Sequence, residues 1–320
     1  MPKKGCLGCS FPVLIGIFVV FLVLTVISFL SGALGSSFFG DLGLPSWLTV
    51  PQPSLQLPPE VLFHLFGFPI TNSIIASWLT IIVLVAIAYA VTHRIKLIPS
   101  RLQCLLEFAL EWMLNLCKDV AGEKNGRRFF PIVTTIFLFV MINAWLSLLP
   151  GFGSIFITNA EGETVHLLRG ANTDINMPLA LALISFVVVE YWGIRSLGGL
   201  RYLSKFINVR QFFRSIGQLF RGKLKAGFSG LFTGGIDIFV GMLEALSELV
   251  RIISFTFRLF GNMTGGEILI LMMLFLAPWV LAIPFYGLEL LVGFVQALIF
   301  GGLTLVFATI AVTSHGAETA

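Results

Sequence analysis

Of the 320 residues, 57% are apolar and only 11% are charged, less than half the roughly 25% usual in soluble proteins. With a mean hydropathy of +0.97 and 32 phenylalanines, this composition excludes a soluble enzyme and makes lipid the solvent for most of the protein. The net charge of +4 arises from 20 Lys and Arg against 16 Asp and Glu, and the basic residues lie in connections between apolar segments, where membrane topology accounts for them. No nucleic-acid partner is implied. Four cysteines are too few for a disulfide scaffold, and Cys6 and Cys9, although spaced C-x-x-C, have no second pair to complete a zinc site.

In chain order, apolar stretches fall at 11–31, 72–92, 129–150, 178–196, 236–277 and 281–313, each long enough to cross a bilayer core of about 30 Å. The pattern predicts an all-α polytopic membrane protein. Its first stretch follows Lys3 and Lys4 and ends in small residues, Ser31 to Ser36, so residues 1–35 read either as a signal peptide or as a retained anchor. The run is long for a signal peptide's core, which favours retention. Residues 36–71 form an external loop. Residues 101–121 place Leu102, Leu105, Leu106, Ala109, Leu110, Met113 and Leu116 on one side, with Glu107, Glu111 and Lys118 on another, which predicts a helix lying in the membrane interface.

Orientation follows from the distribution of Lys and Arg, which concentrate in cytoplasmic loops. Segment 93–128 holds Arg94, Lys96, Arg101, Lys118, Lys124, Arg127 and Arg128, and segment 195–225 holds Arg195, Arg201, Lys205, Arg210, Arg214, Arg221, Lys223 and Lys225 without an acidic residue. Both belong inside. Connections 32–71 and 151–177 contain Arg169 as their only Lys or Arg, alongside Asp41, Glu60, Glu161, Glu163 and Asp174, and belong outside. With the first helix retained, the chain starts in the cytoplasm and its tail, 314–320, ends there.

The last third of the chain carries ionisable residues inside apolar helices, where their cost marks them as functional candidates. At 100° per residue, Glu244, Ser247, Arg251, Ser254, Asn262 and Gly265 all fall within about 40° of Arg258, giving one polar stripe. Glu267 lies nine residues beyond Arg258, about 13.5 Å along the axis and about 180° around it. After the Pro278–Pro284 bend, Glu289, Gly293, Gln296 and Phe300 share a face. If the two helices run antiparallel, Glu267 and Glu289 lie toward the outside, Arg258 near mid-membrane and Glu244 toward the cytoplasm. Acids on either side of a central cation suit an ion path interrupted at its middle. The competing expectation is that a glutamate on a neighbouring helix neutralises Arg258 and the pair serves assembly only. Asp237, Glu248 and Glu190 read as solvated structural residues near the cytoplasmic interface.

The motif R-L-F-G-N-M-x-x-G-E at 258–267, followed by E-x-x-x-x-x-x-Q-A-x-I-F at 289–300, resembles the a subunit of rotary F-type ATP synthases. P-I-T-N-S at 69–73, G-E-K at 122–124, F-F-P at 129–131, N-A-W-L-S-L-L-P at 143–150 and T-D-I-N at 173–176 extend the resemblance over about 60–313. The resemblance implies five core transmembrane helices in 72–313, the interfacial helix at 101–121 and a long tilted C-terminal hairpin at 236–313. The N-terminal hydrophobic helix is extra to that plan. It further implies a stator subunit whose partners are a ring of c subunits, peripheral-stalk b subunits and, through them, the F1 sector. Arg258 would separate two half-channels, with Glu267, Glu289, Asn262 and Gln296 lining the outer path and Glu244 the cytoplasmic one. No cofactor is called for, and without a G-x-x-x-x-G-K-[ST] loop ATP chemistry belongs to other subunits. Two outer acids in one chain leave the coupling ion open between proton and sodium. A stand-alone transporter should show internal repeats, which are not apparent, and a scaffold would not need the polar stripe. The N-terminal segment is not Arg/Ser-rich and amphipathic like an organelle transit peptide, which points to a bacterial plasma membrane, with a thylakoid as the alternative.

Overall fold

Uninterrupted apolar runs without proline or charge have little choice but helix in lipid, because every backbone group has to be paired within its own segment. The structure, a computed structural model, describes residues 11–40, 58–93, 100–149, 151–158, 164–199 and 224–313, together with Pro45, Gln52, Ile95, Gly162 and Tyr202. Cys6, Cys9, Asp41, Arg94, Lys96, Glu161, Glu163, the basic residues of 201–223 and the tail 314–320 lie outside the described residues. The helices are α1 (Phe11–Ser31), α2 (Ala33–Phe39), α3 (Asn72–Thr92), α4 (Arg101–Ser147), α5 (Asn176–Leu197), α6 (Leu224–Leu276) and α7 (Ile283–Thr313). Six of them are long and apolar enough to cross a membrane, at the positions expected. The protein is an all-α polytopic membrane protein.

Three details refine the sequence reading. The interfacial segment and the following span form one element, α4, broken at Gly122, whose φ of 77° and ψ of 164° lie in a region that is essentially glycine's alone. A second glycine, Gly126, lets the next turn fold back against the Cys117 carbonyl, where a Cβ would lie 2.5 Å away. The long helix begins at Leu224, twelve residues before the expected 236. At 53 residues and 1.5 Å per residue, α6 runs about 80 Å, well beyond an upright span. The connections expected to be external also hold two small antiparallel hairpins, β1 (Val61–Leu65) with β2 (Phe68–Thr71) and β3 (Phe156–Thr158) with β4 (Thr164–His166). The first turns through Phe66 and Gly67, both at positive φ, as a two-residue primed turn requires.

Two compact units divide the chain. One comprises 77–143, 174–260 and 296–320, and its core is built from Met113, Phe129, Val133, Phe137 and Val140 of α4, Leu181, Val189 and Trp192 of α5, and residues of α6 and α7. Phe129 packs on Trp192 at 4.4 Å between ring centroids, and Phe255 on Phe300 at 5.0 Å. Polar pairs tie its helices together: Asn143 donates to Thr80 at 2.9 Å, and the Ser185 and Thr304 hydroxyls lie 2.7 Å apart. The other unit comprises 1–76, 144–173 and 261–295 and contains both hairpins. Here the Ser28 hydroxyl of α1 donates to the Pro278 carbonyl in the α6–α7 bend, and Gly32 lies directly against the Leu276 carbonyl.

Candidate ion path

The buried line of α6 runs through Phe255, Thr256, Leu259, Met263, Thr264, Gly266 and Ile270. The opposite face is uncovered. Ser247, Ser254, Arg258, Gly261, Asn262 and Gly265 are all exposed along it, flanked by exposed Leu246, Val250, Ile253 and Phe257. Most of the polar stripe legible in the sequence is therefore an open helix face, and Glu244 at its lower end is half-buried. Arg258 forms no ion pair among the described residues.

Arg251 departs from the stripe. Its guanidinium turns inward, 3.8 Å above the Phe307 ring, and grips Glu248 with two contacts of 2.7 and 3.0 Å. Glu248 is only 8% exposed, so the expectation of a solvated residue at the interface does not hold for it: a neighbouring cation on the same helix and an aromatic lid compensate its burial. Glu190, also expected to be solvated, is half-buried and accepts a hydrogen bond from Tyr202, whose phenol is pushed upward first by burial and then by that bond. Of Asp237 only the backbone is described.

The two acids expected toward the outside meet different partners. Glu289 on α7 is 5% exposed and its carboxylate packs directly on Gly266, so a side chain at 266 would occupy the same space. Adjacent Glu267 instead receives the Arg169 guanidinium at 3.4 Å. Arg169 also donates to the Pro58 carbonyl at 3.1 Å. Around it lies a polar layer in which Glu60 accepts from the His166 backbone N–H at 2.8 Å and from Asn72 Nδ2 at 3.4 Å. Close backbone approach supports this arrangement on α7 as well, since Gly293 lies against Ala144 and Trp145 donates from Nε1 to the Leu290 carbonyl at 3.1 Å. Gln296 is half-buried. Sequence spacing did not single out Arg169 or the Glu248–Arg251 pair as parts of a site. The one available signal for Arg169 was its standing as the lone Lys or Arg in two long external connections.

Six apolar helices long enough to cross a membrane, with charged residues inside α6 and α7 and an uncovered arginine on the longer of the two, mark a membrane protein with candidate ion-path groups. Comparisons with known proteins narrow the class. The sequence profile of the ATP synthase A chain family matches residues 74–309. The ATP synthase subunit a of a Nitratiruptor species is 30% identical over 252 residues, covering 79% of this chain and 92% of the relative. That of Moorella thermoacetica is 28% identical over 257 residues, 80% of this chain and 98% of the relative, and that of Campylobacter concisus 29% over 240 residues, 74% and 88%. The chain belongs to the ATP synthase A chain family, and is a multi-pass membrane protein of ATP synthesis and ion transport.

Proposed function

We propose that this chain is the stator subunit a of the membrane sector of a rotary ATP synthase in a bacterial plasma membrane, facing a ring of c subunits and joined through b subunits to the F1 sector. The observation that carries the reading is Arg258: a cation within a membrane helix, exposed on an open face and without an ion pair among the described residues. A charge in that setting is costly unless a second chain brings the counter-charge. The alternative of neutralisation by a neighbouring glutamate finds no support in the ion pairs of the described residues, where Glu248 pairs with Arg251 and Glu267 with Arg169.

A proton enters from outside past Glu267, Glu289, Asn262 and Gln296 and neutralises a ring carboxylate, which then rotates into lipid. After nearly a full turn the site opens to the cytoplasmic path near Glu244 and releases its proton, because Arg258 and water favour the carboxylate form. Arg258 blocks direct leakage between the two paths, and a guanidinium keeps its charge when partly desolvated, where a lysine would lose it. One charge crossing 100 mV is worth about 2.3 kcal/mol, so several protons per nucleotide are required and a stepping ring supplies the gearing. By itself the chain is not an enzyme.

The test is ATP synthesis and ATP-driven proton pumping in vesicles carrying the assembled complex with Arg258→Ala. Both are expected to fall by at least about 100-fold at normal assembly, in line with the loss of a preorganised charge. Retained coupled pumping returns Arg258 to a role in helix assembly.

A further inference from the structure

Arg169 is the only Lys or Arg in residues 32–71 and 151–177, and its side chain is just 13% exposed. A cation so withdrawn from water needs partners, and two of them are the Pro58 carbonyl at 3.1 Å and the Glu267 carboxylate at 3.4 Å. Pro58 fixes where the guanidinium sits, and the guanidinium in turn fixes one oxygen of Glu267. The Glu267 side chain remains 34% exposed, so it is clamped without being sealed off. We propose that Arg169 is a positioning residue of the outer ion path, holding the Glu267 carboxylate at the mouth and competing there with each incoming proton.

The inference rests on the reading of Glu267 as an inlet group. A proton and a guanidinium contend for the same carboxylate: a proton that binds Glu267 loosens the Arg169 contact, and the returning guanidinium helps expel the proton onward. Such a clamp keeps the inlet from saturating at low external proton concentration and shortens the residence of each proton. Other titratable groups border the pair. Glu289 comes from α7 with its carboxylate on Gly266, the residue before Glu267. Glu60 and His166 belong to the external layer, joined by the His166 N–H donating to Glu60. The His166 ring nitrogen Nδ1 lies 2.6 Å from the Gly153 carbonyl, and Asp174 follows five residues after Arg169 in the chain. Arg169 is the permanent cation of this group.

The experiment measures the initial rate of ATP synthesis by the assembled complex in vesicles as the proton concentration on the inlet side is varied at constant membrane potential. Arg169→Gln is expected to lower the half-saturating proton concentration about tenfold while the maximal rate changes less. Arg169→Lys keeps the charge but loses the fork that reaches Pro58 and Glu267 together, and should move it about threefold in the same direction. In a Glu267→Gln background neither substitution should move it further. An unchanged half-saturation in Arg169→Gln, or in Arg169→Lys where the glutamine variant does not assemble, overturns the inference; so does an equal shift in the Glu267→Gln background. The reading beneath it is tested separately, because Glu267→Gln with unaltered rate and half-saturation removes Glu267 from the path whatever Arg169 does.

Discussion

Gly266 and Glu289 occupy one another's space. The carboxylate of Glu289 lies where a Cβ at 266 would stand, so Gly266→Ala forces a buried acid to move among packed helices. Inserting a methyl group in such a setting costs about 1–3 kcal/mol. The expected outcome is a drop of about tenfold or more in coupled pumping, with Glu289→Asp in the same chain recovering part of it by withdrawing the carboxylate one methylene. Additive losses in the double variant, measured as ATP-driven pumping at equal complex content, speak against this contact. The acid was legible in the sequence as an ionisable group in an apolar run; its neighbour was not, because helical spacing fixes a residue's angle on its own helix and is silent on what the next helix brings. The same gap explains Arg251. Its angle put it on the stripe with Arg258, yet a long flexible stem lets the guanidinium turn inward to Glu248 and Phe307.

Helix boundaries in this chain follow hydropathy where lipid decides them and depart from it where glycine does. The spans at 11–31 and 72–92 coincide with their apolar runs, since in lipid the backbone has to pair within its own segment whatever the strand propensity of its Val and Ile, and Pro12 sits in the first turn, where no N–H partner is lost. Gly122 behaves differently: its backbone angles permit only glycine, and the bend there separates the exposed, apolar-faced limb carrying Leu102, Leu105 and Phe108 from the limb that runs on through Phe129 and Val140 into the core. Replacement by alanine should therefore destabilise the protein by about 1–3 kcal/mol although no atom stands within 4 Å of the new methyl. Thermal unfolding of the purified complex reads this directly. Gly16→Ala, in equally open space on α1 with ordinary helical backbone, is the control and should leave the midpoint unchanged or slightly raised; equal behaviour of the two variants argues against strain at 122. The β-hairpins escaped the sequence reading for a related reason. Strands of three to five residues, one with a bulge between Val61 and Phe63, are too short to set up an alternating pattern that stands out from apolar loop sequence.

At the scale of the whole chain, two independent properties agree. The count of Lys and Arg favours the cytoplasm for 93–128 and 195–225, and six candidate spans, each crossing in turn, would put the hairpin turning at Phe66 on the opposite side. On the proposed function, that orientation decides the direction in which the path reads, because it would put the proposed Arg169–Glu267 clamp at the side from which protons drive synthesis. Phe66 is fully exposed at the hairpin tip, which makes it a suitable reporter. In a chain with its four native cysteines replaced, Phe66→Cys should react with a membrane-impermeant maleimide added to intact cells, whereas Ser215→Cys, within the basic connection, should react only after the cells are opened. A reversed pattern inverts the chain, turns the clamp toward the cytoplasm and makes Glu244 the inlet. Labelling of both positions from outside breaks the alternation itself and removes one of the six crossings. Only the first pattern agrees with the proposed function, in which Arg258 separates an external path through Glu267 and Glu289 from a cytoplasmic path through Glu244.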